Sequence, residues 1–291
     1  MKKELRGDRL RGRKWKRHMD AVLTNAALIV LSILFVAPLV WMISLAFKTP
    51  EQSAIYPPRL IPNPFSLRSF EEALSGGMFL TYLKNTVFIT AMSTLGTLIS
   101  SSLAAFGFGC LYCRIKGFWF TLMLSTMMIP SMITLIPAYS IYAQLGLTDS
   151  PLPLILPLFF GGSAYSIFLL RQFFMTMPAS LGEAAFLDGC SWPGVFIHIY
   201  LPNAKPALLV VTMFAFVNTW NDFFNPMIYL SSPEKYTIAI GLAAFKKMYG
   251  GTMDLGPLMA MSLLCVAPII LLYLFCQKYF VEGIATSGIK G

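Results

Sequence analysis

Long apolar runs alternate with short polar segments along this chain, at 21–46, 82–109, 118–142, 153–175, 207–230 and 257–277. Crossing a bilayer takes about 20 helical residues, so the pattern predicts an all-α membrane protein with six transmembrane helices. Between the first two runs lies KTPEQSAIYPPRLIPNPFSLRSFEEALSGG. Its prolines at 50, 57, 58, 62 and 64 forbid a continuous helix and favour extended, solvated chain. SLRSFEEAL then suits a short surface helix capped by Ser66 or Ser69. The second and third runs are rich in Gly, Ser, Thr and Met, residues that let helices approach closely and bond across the contact, and Pro130 and Pro137 are expected to kink the third. YLSSPEKYTIAIGLAAFKKMYGGTMDLGP, with Gly250 and Gly251, has the length for a helix and a loop outside the membrane.

The segment GEAAFLDGCSWPGVFIHIYLP, from Gly182 to Pro202, breaks the apolar pattern. Ser180-Leu181-Gly182-Glu183 has the S-x-x-E form of a capping box, which predicts a helix starting near Leu181. Gly189 offers the left-handed residue that closes it. A stub of about two turns is too short to be stable alone and must be held by its surroundings. Ala184 and Ala185, flanked by Glu183 and Asp188, are expected to form an exposed knob small enough for another protein's groove. A second helix, capped at Ser191 with Pro193 in its first turn, would lay Phe196, Ile197, Tyr200 and Leu201 against the bundle. The same residues also suit an amphipathic hairpin that only links two spans.

Composition agrees with the spans: 56% of the 291 residues are hydrophobic and 12% are charged, about half the charged share of a soluble domain. The net charge of +9 calls for no nucleic acid. Lys2, Lys3, Arg6, Arg9, Arg11, Arg13, Lys14, Lys16 and Arg17 precede the first run; such a cluster holds that end in the cytoplasm and favours anionic lipid headgroups. Six spans then put both termini inside, with 110–117, 176–206 and 278–291 cytoplasmic. Cys110 and Cys113 form a CxxC without a second half, so no zinc site is expected, and no disulfide framework is implied.

The chain carries no engine of its own. The runs hold almost no ionisable group with which to couple an ion gradient; Lys84 and Arg171 sit near predicted ends and Asp222 lies in FVNTWNDFFNPM. No Gly-Lys pair occurs, so a phosphate-cradling GxxxxGK[ST] loop is excluded. Only His18 and His198 are present, and GxSxG and HExxH are absent. No catalytic or metal residue is expected, and energy must come from elsewhere unless solutes move passively.

EAAFLDGCSWPGVFIHIYLPNAKPAL resembles the EAA loop of ABC-importer permeases, with EAA, an Asp-Gly pair and an Ile-x-Leu-Pro ending. QKYFVEGIATSGIKG, TWNDFFNPMIYL and the GLAAF segment resemble the carbohydrate-uptake permeases related to the maltose-system subunit MalG, so the likeness covers nearly the whole chain. Cys190 stands where Ala is usual, a small residue in either case. The resemblance implies a type I ABC importer permease fold, with Glu183, Ala184, Ala185, Asp188 and Gly189 on a cytoplasmic coupling helix. It implies as partners a second permease, two ATPase subunits that bind ATP and Mg in place of this chain, and an extracytoplasmic solute-binding protein. The tail at 287–291 is a further expected ATPase contact, and Gly250 and Gly251, with the 47–80 loop, are expected to meet the binding protein. The implied location is a bacterial or archaeal inner membrane and the implied substrate a sugar or oligosaccharide. Glycerol phosphate, or a passive facilitator, is the alternative. Asn218, Trp220, Asn221 and Asn225 combine a stacking face with amides, a set suited to a neutral polyol. The expected organisation is a basic tail at 1–20, the first span and outer loop at 21–80, a permease core at 81–278 with the EAA loop at 178–206, and a tail at 279–291.

Overall fold

The computed structural model describes the backbone of residues 2–75, 78–251 and 254–288, with side chains described between residues 19 and 277 of those stretches. Every regular element among the described residues is helical. The chain divides into two units, Met1–Ala73 with Tyr249–Leu263, and Leu74–Met248 with Leu264–Gly291.

The first unit is led by α1 (Lys2–Ala46). The most apolar window of its Met19–Ala46 stretch has a mean hydropathy of 2.7 and no buried residue, while Ser44, Leu45 and Ala46 at the end of the stretch are buried; a helix segment apolar all round and uncovered belongs in lipid or against another chain. The proline-rich segment holds only the one-turn α2 (Pro50–Ser53), with Thr49 as its cap, before α3 (Arg68–Ser75). Neither candidate cap occupies the cap position of α3, which is Leu67: Ser66, one residue further out, accepts from the Arg68 N–H at 3.2 Å, and Ser69 is buried inside the helix. The loop folds back on the end of α1. Ser66 N–H donates to the Phe47 carbonyl at 3.0 Å, and Phe47 stacks on Phe65 at 4.5 Å. Lys48 is only 2% exposed. It donates to the Arg59 carbonyl and lies over the Trp41 ring at 4.6 Å, and burial lowers the pKa of its amine.

The second unit contains α4 (Phe79–Cys110), α5 (Lys116–Ser125), α6 (Ser131–Gln144), α7 (Leu152–Phe160), α8 (Ala164–Thr176), α9 (Ala179–Leu187), α10 (Trp192–Val195), α11 (Leu201–Asn203), α12 (Lys205–Trp220), α13 (Phe224–Tyr229) and α14 (Ile238–Tyr249). The last helix, α15 (Gly256–Gly288), starts in the first unit. α4 is the central post, packed by α7, α8 and α12. Its small residues do the work expected of them. Pro157 interrupts the α7 ladder, and hydroxyls of α4 reach across: Ser93 donates to the Leu154 carbonyl at 3.3 Å and Ser100 to the Leu158 carbonyl at 2.6 Å. At Gly96 the Phe159 ring lies so close that a Cβ would sit 2.6 Å from it.

Among the described residues, four helices are long and apolar enough to cross a membrane, and two bent pairs bring the number to six if each pair is one span. Three expected spans are not single helices: the 153–175 run, one of the four, divides into α7 and α8, two others break as follows, and the second bent pair, Trp192–Asn203 with Lys205–Trp220 at 80°, lies at the start of the 207–230 run. The 118–142 run breaks at Ile129-Pro130, where Lys116–Met128 and Ser131–Gln144 meet at 99°, because the residue before proline avoids helical geometry. The 207–230 run stops at Trp220. Asn221 turns its amide back to the Val217 carbonyl at 3.0 Å, and Asp222 accepts from the Asn225 N–H at 3.2 Å, so two side chains that compete with helical bonding end one helix and start another.

Candidate functional site

The EAA segment forms a protruding stub. α9 spans nine residues, of which only Gly182 and Ala185 are buried. It begins two residues before the expected start: Pro178 is its cap position, Ser180 lies inside it, and no side chain caps it. Proline pre-sets the backbone at this end, so the capping box has no free start to serve. Its other end is as expected. Gly189 has φ +85°, its N–H donates to the Phe186 carbonyl at 3.0 Å, and the Cys190 N–H donates to the Ala185 carbonyl at 2.9 Å. These are the two bonds of a Schellman closure.

The exposed face differs from expectation at one residue. Glu183, Ala184, Asp188 and Gly189 are exposed, but Ala185 is buried at 6%, since it shares with Gly182 the i, i+3 stripe that rests on the bundle. The apolar tip is instead Leu187, 90% exposed, beside Leu181 and Phe186. The result is a greasy knob edged by two carboxylates.

Behind the stub, α10 continues as a π-helix at Phe196–Tyr200 before α11. The wider turn comes just before Pro202, which lacks a donor for the helical ladder. It also changes the apolar face: Val195, Phe196 and Tyr200 are buried, whereas Ile197 is 53% exposed. Phe106 of α4 is ringed by Phe196 and Tyr200, each at 5.1 Å, by Trp192 at 6.3 Å and by Phe174 of α8 at 6.5 Å. Phe186 packs edge-on to Trp192 at 4.3 Å. The stub is thereby braced on α4 and α8 through interlocking rings, each pair adding about 0.5–1.5 kcal/mol.

About twenty residues toward the start of α4, roughly 30 Å at 1.5 Å per residue, a cavity of about 470 Å³ opens between α4, α6, α7, α12 and α13. Asn218, Asp222 and Asn225 line it, and the Asn225 amide donates to the Asp222 carboxylate at 2.7 Å. Thr86, Thr90 and Thr237 add hydroxyls to the same wall. Two of the four expected pathway residues are not part of it. Trp220 is 3% exposed, donates from Nε1 to the Cys265 carbonyl at 2.9 Å and stacks on Phe216 at 5.3 Å, so its ring serves helix packing. Asn221 bonds within its own helix and is off the wall. Thr86 and Thr90 belong to a run read only as rich in small residues, Thr237 to a segment read as lying outside the membrane, and nothing in a linear reading brings the three together.

At this same end, Asp149 ties two loops together. Its backbone is left-handed, with φ 56°, and its carboxylate accepts from the Ser231 and Ser232 N–H groups, each at 2.9 Å, from the Ser232 hydroxyl at 2.6 Å and from the Lys235 ammonium at 2.7 Å. Lys235, then the Ser232 hydroxyl and the backbone N–H groups, hold its carboxyl well below the usual carboxylate range. Asn85 of α4 donates to the Glu234 and Tyr236 carbonyls at 2.8 and 3.0 Å, and Thr86 caps α14 by accepting from the Ile238 N–H at 2.8 Å.

Gly250 and Gly251 form an exposed turn after α14, next to residues 252 and 253, which lie outside those described. The side chains of the basic head up to residue 18 and of the tail at 278–291 also lie outside them. Among the described residues no cluster of His, Cys, Asp or Glu is arranged to hold a metal ion.

Residues 113–286 match the model of the family described as "Binding-protein-dependent transport system inner membrane component". The chain is 34% identical over 279 residues to the probable ABC transporter permease protein YurM of Bacillus subtilis, covering 96% of this chain and 91% of that one. It is 32% identical over 215 residues to the arabinooligosaccharides transport system permease protein AraQ of Halalkalibacterium halodurans, covering 74% and 76%. Its fold is similar to a chain in the crystal structure of a bacterial ABC transporter involved in the import of the acidic polysaccharide alginate, with TM-score 0.80, 23% identity, and coverage of 90% of this chain and 97% of that one. With the family model covering more than half of its length, this chain belongs to the inner membrane components of binding-protein-dependent transport systems.

Proposed function

We propose that this permease carries a sugar or oligosaccharide inward, with the energy supplied by a separate ATPase seated on α9. The observation that carries the reading is the stub itself. Leu187, Glu183 and Asp188 stand out from the bundle, and the helix beneath them is clamped to α4 and α8 by the Phe106 ring cluster. A rigid lever of this kind converts movement of a docked partner into movement of two long helices. In this reading the α9 end is cytoplasmic, the basic head holds the N-terminus on the same side, and both termini are inside. A second permease completes the pathway, a second ATPase completes the motor, and a solute-binding protein meets the opposite end through the 47–80 loop and the turn at Gly250 and Gly251.

The sugar assignment draws on the arabinooligosaccharide system to which AraQ belongs and on a cavity wall of hydroxyls and amides. Glycerol phosphate is disfavoured, because the wall carries the Asp222 carboxylate and no Lys or Arg, and like charges repel in a site of low dielectric.

The test is to extract the tagged chain gently from native membranes, identify the proteins that come with it by mass spectrometry, and measure uptake by the purified assembly in vesicles with and without ATP. An ATPase, a second permease and ATP-dependent sugar uptake are expected. Solute movement by this chain alone without ATP would make it a facilitator and end the proposal.

A further inference from the structure

In the first unit, the proline-rich arm IYPPRLIPNPF at 55–65 carries large apolar side chains that nothing covers: Tyr56 is 92% exposed, Ile61 78% and Phe65 62%, with Ile55 and Leu60 beside them. We infer that this arm lies on the membrane surface and sets Tyr56, Leu60, Ile61 and Phe65 at the boundary between lipid headgroups and acyl chains. A run of exposed apolar side chains marks a contact surface, and the way the arm is fastened says what it contacts. The exposed face of α1 continues to Ile43, and burial starts at Ser44. From residue 19 to residue 43 is about 25 residues, roughly 37 Å at 1.5 Å per residue, enough to cross a hydrocarbon core of about 30 Å and end in the headgroup layer. The arm is fixed at this level. The Ser44 hydroxyl donates to the Leu60 carbonyl and the Lys48 ammonium to the Arg59 carbonyl. Trp41, whose ring lies under Lys48, is a residue type that gathers at the same layer. Leu60 and Ile61 are thereby held beside the end of a span, where it leaves the bilayer.

The backbone of the arm suits this position. Irregular chain is costly against lipid, because its polar groups lose water without gaining partners. Prolines at 57, 58, 62 and 64 have no N–H to satisfy, and the Ile55 N–H donates to the Gln52 carbonyl at 3.4 Å. The carbonyls of Arg59, Leu60 and Pro64 are taken by Lys48, Ser44 and the Gln52 amide, the last at 3.0 Å. A protein partner requires no such economy of free polar groups, whereas a lipid surface does. Arg59 is the arm's only charged residue; its apolar stem and guanidinium fit a layer with acyl chain on one side and phosphate on the other. The inference goes beyond the assignment of the 47–80 loop to a solute-binding protein, and leaves α3, with the exposed Glu71, for that partner.

The test places the photo-crosslinking residue p-benzoylphenylalanine at Ile61, at Tyr56 and, for comparison, at Glu71 of α3. Each variant is studied in the assembly purified from native membranes and returned to vesicles of equimolar phosphatidylethanolamine and phosphatidylglycerol, with and without the solute-binding protein, and adducts are identified by mass spectrometry after irradiation. All three side chains are exposed, so the fold does not depend on them, and Tyr56 gives a second reading of the arm with an aromatic ring already in place. Burying one large apolar side chain in lipid favours that contact by a factor of ten or more, so lipid adducts at Ile61 and Tyr56 are expected to exceed those at Glu71 at least about tenfold, with no change when the binding protein is added. Adducts at Ile61 and Tyr56 formed mainly with the solute-binding protein overturn the bilayer contact and leave the earlier assignment of the loop standing. Adducts formed mainly with a second permease overturn both. Equal lipid labelling at all three positions also overturns the proposal.

Discussion

Gly189 and Asp149 both hold left-handed backbone, yet for different reasons. At Gly189 an added Cβ would meet nothing within 4 Å, so the requirement is conformational alone, about 1–2 kcal/mol for an ordinary residue. G189A is therefore expected to speed hydrogen exchange at the Gly189 and Cys190 amides roughly 5- to 30-fold, with a smaller effect for G189N, since Asn tolerates this conformation. Equal exchange in all three proteins would remove the closure from the account. Asp149 is held by its bonds. Its carboxyl pKa is depressed in the folded protein, so its contribution is complete above the unfolded value of about 3.9 and is lost as pH falls through and below it. D149N is expected to lower the apparent melting temperature at pH 7, and the gap to wild type is expected to begin narrowing only as pH falls below about 4. A gap that stays constant with pH would contradict the role given to its charge.

Helices in this chain are fixed by what they pack against as much as by their own sequence. Gly96 permits the close approach of α4 and α7, and G96A is expected to cost about 1–3 kcal/mol through overpacking against Phe159. The apparent melting temperature of detergent-solubilised protein reports this, and F159L is expected to restore part of the loss. An unshifted G96A protein would mean the contact is loose. The six apolar runs and the Gly189 stop were legible because they depend on length and on one residue's backbone freedom. The break at Trp220 was hidden, since Asn221 and Asp222 act through bonds that an apolar average does not register. The start of α9 was misread for a related reason: Ser180 and Glu183 have the spacing of a capping box, but Pro178 had already set the backbone. Ala185 was assigned to the exposed knob because a motif does not say which face of a short helix is covered.

Along α4 the molecule joins two ends with different chemistry. One carries Leu187 and two carboxylates on a braced stub, the other a hydroxyl-lined cavity under loops tied by Asp149. Such a division suits a subunit that handles solute at one end and receives force at the other. The residues of the stub lie in one contiguous motif, whereas the cavity is assembled from five helices, and of its wall only Asn218 and Asn225 were among the expected pathway residues. The most direct test places L187E in the complete complex in proteoliposomes and follows uptake and ATP hydrolysis together. Charge at the apolar centre of a docking surface is expected to lower uptake at least about tenfold, with the melting temperature of the permease unchanged because Leu187 is 90% exposed. Wild-type uptake by L187E would contradict the claim that a separate ATPase drives this permease through α9.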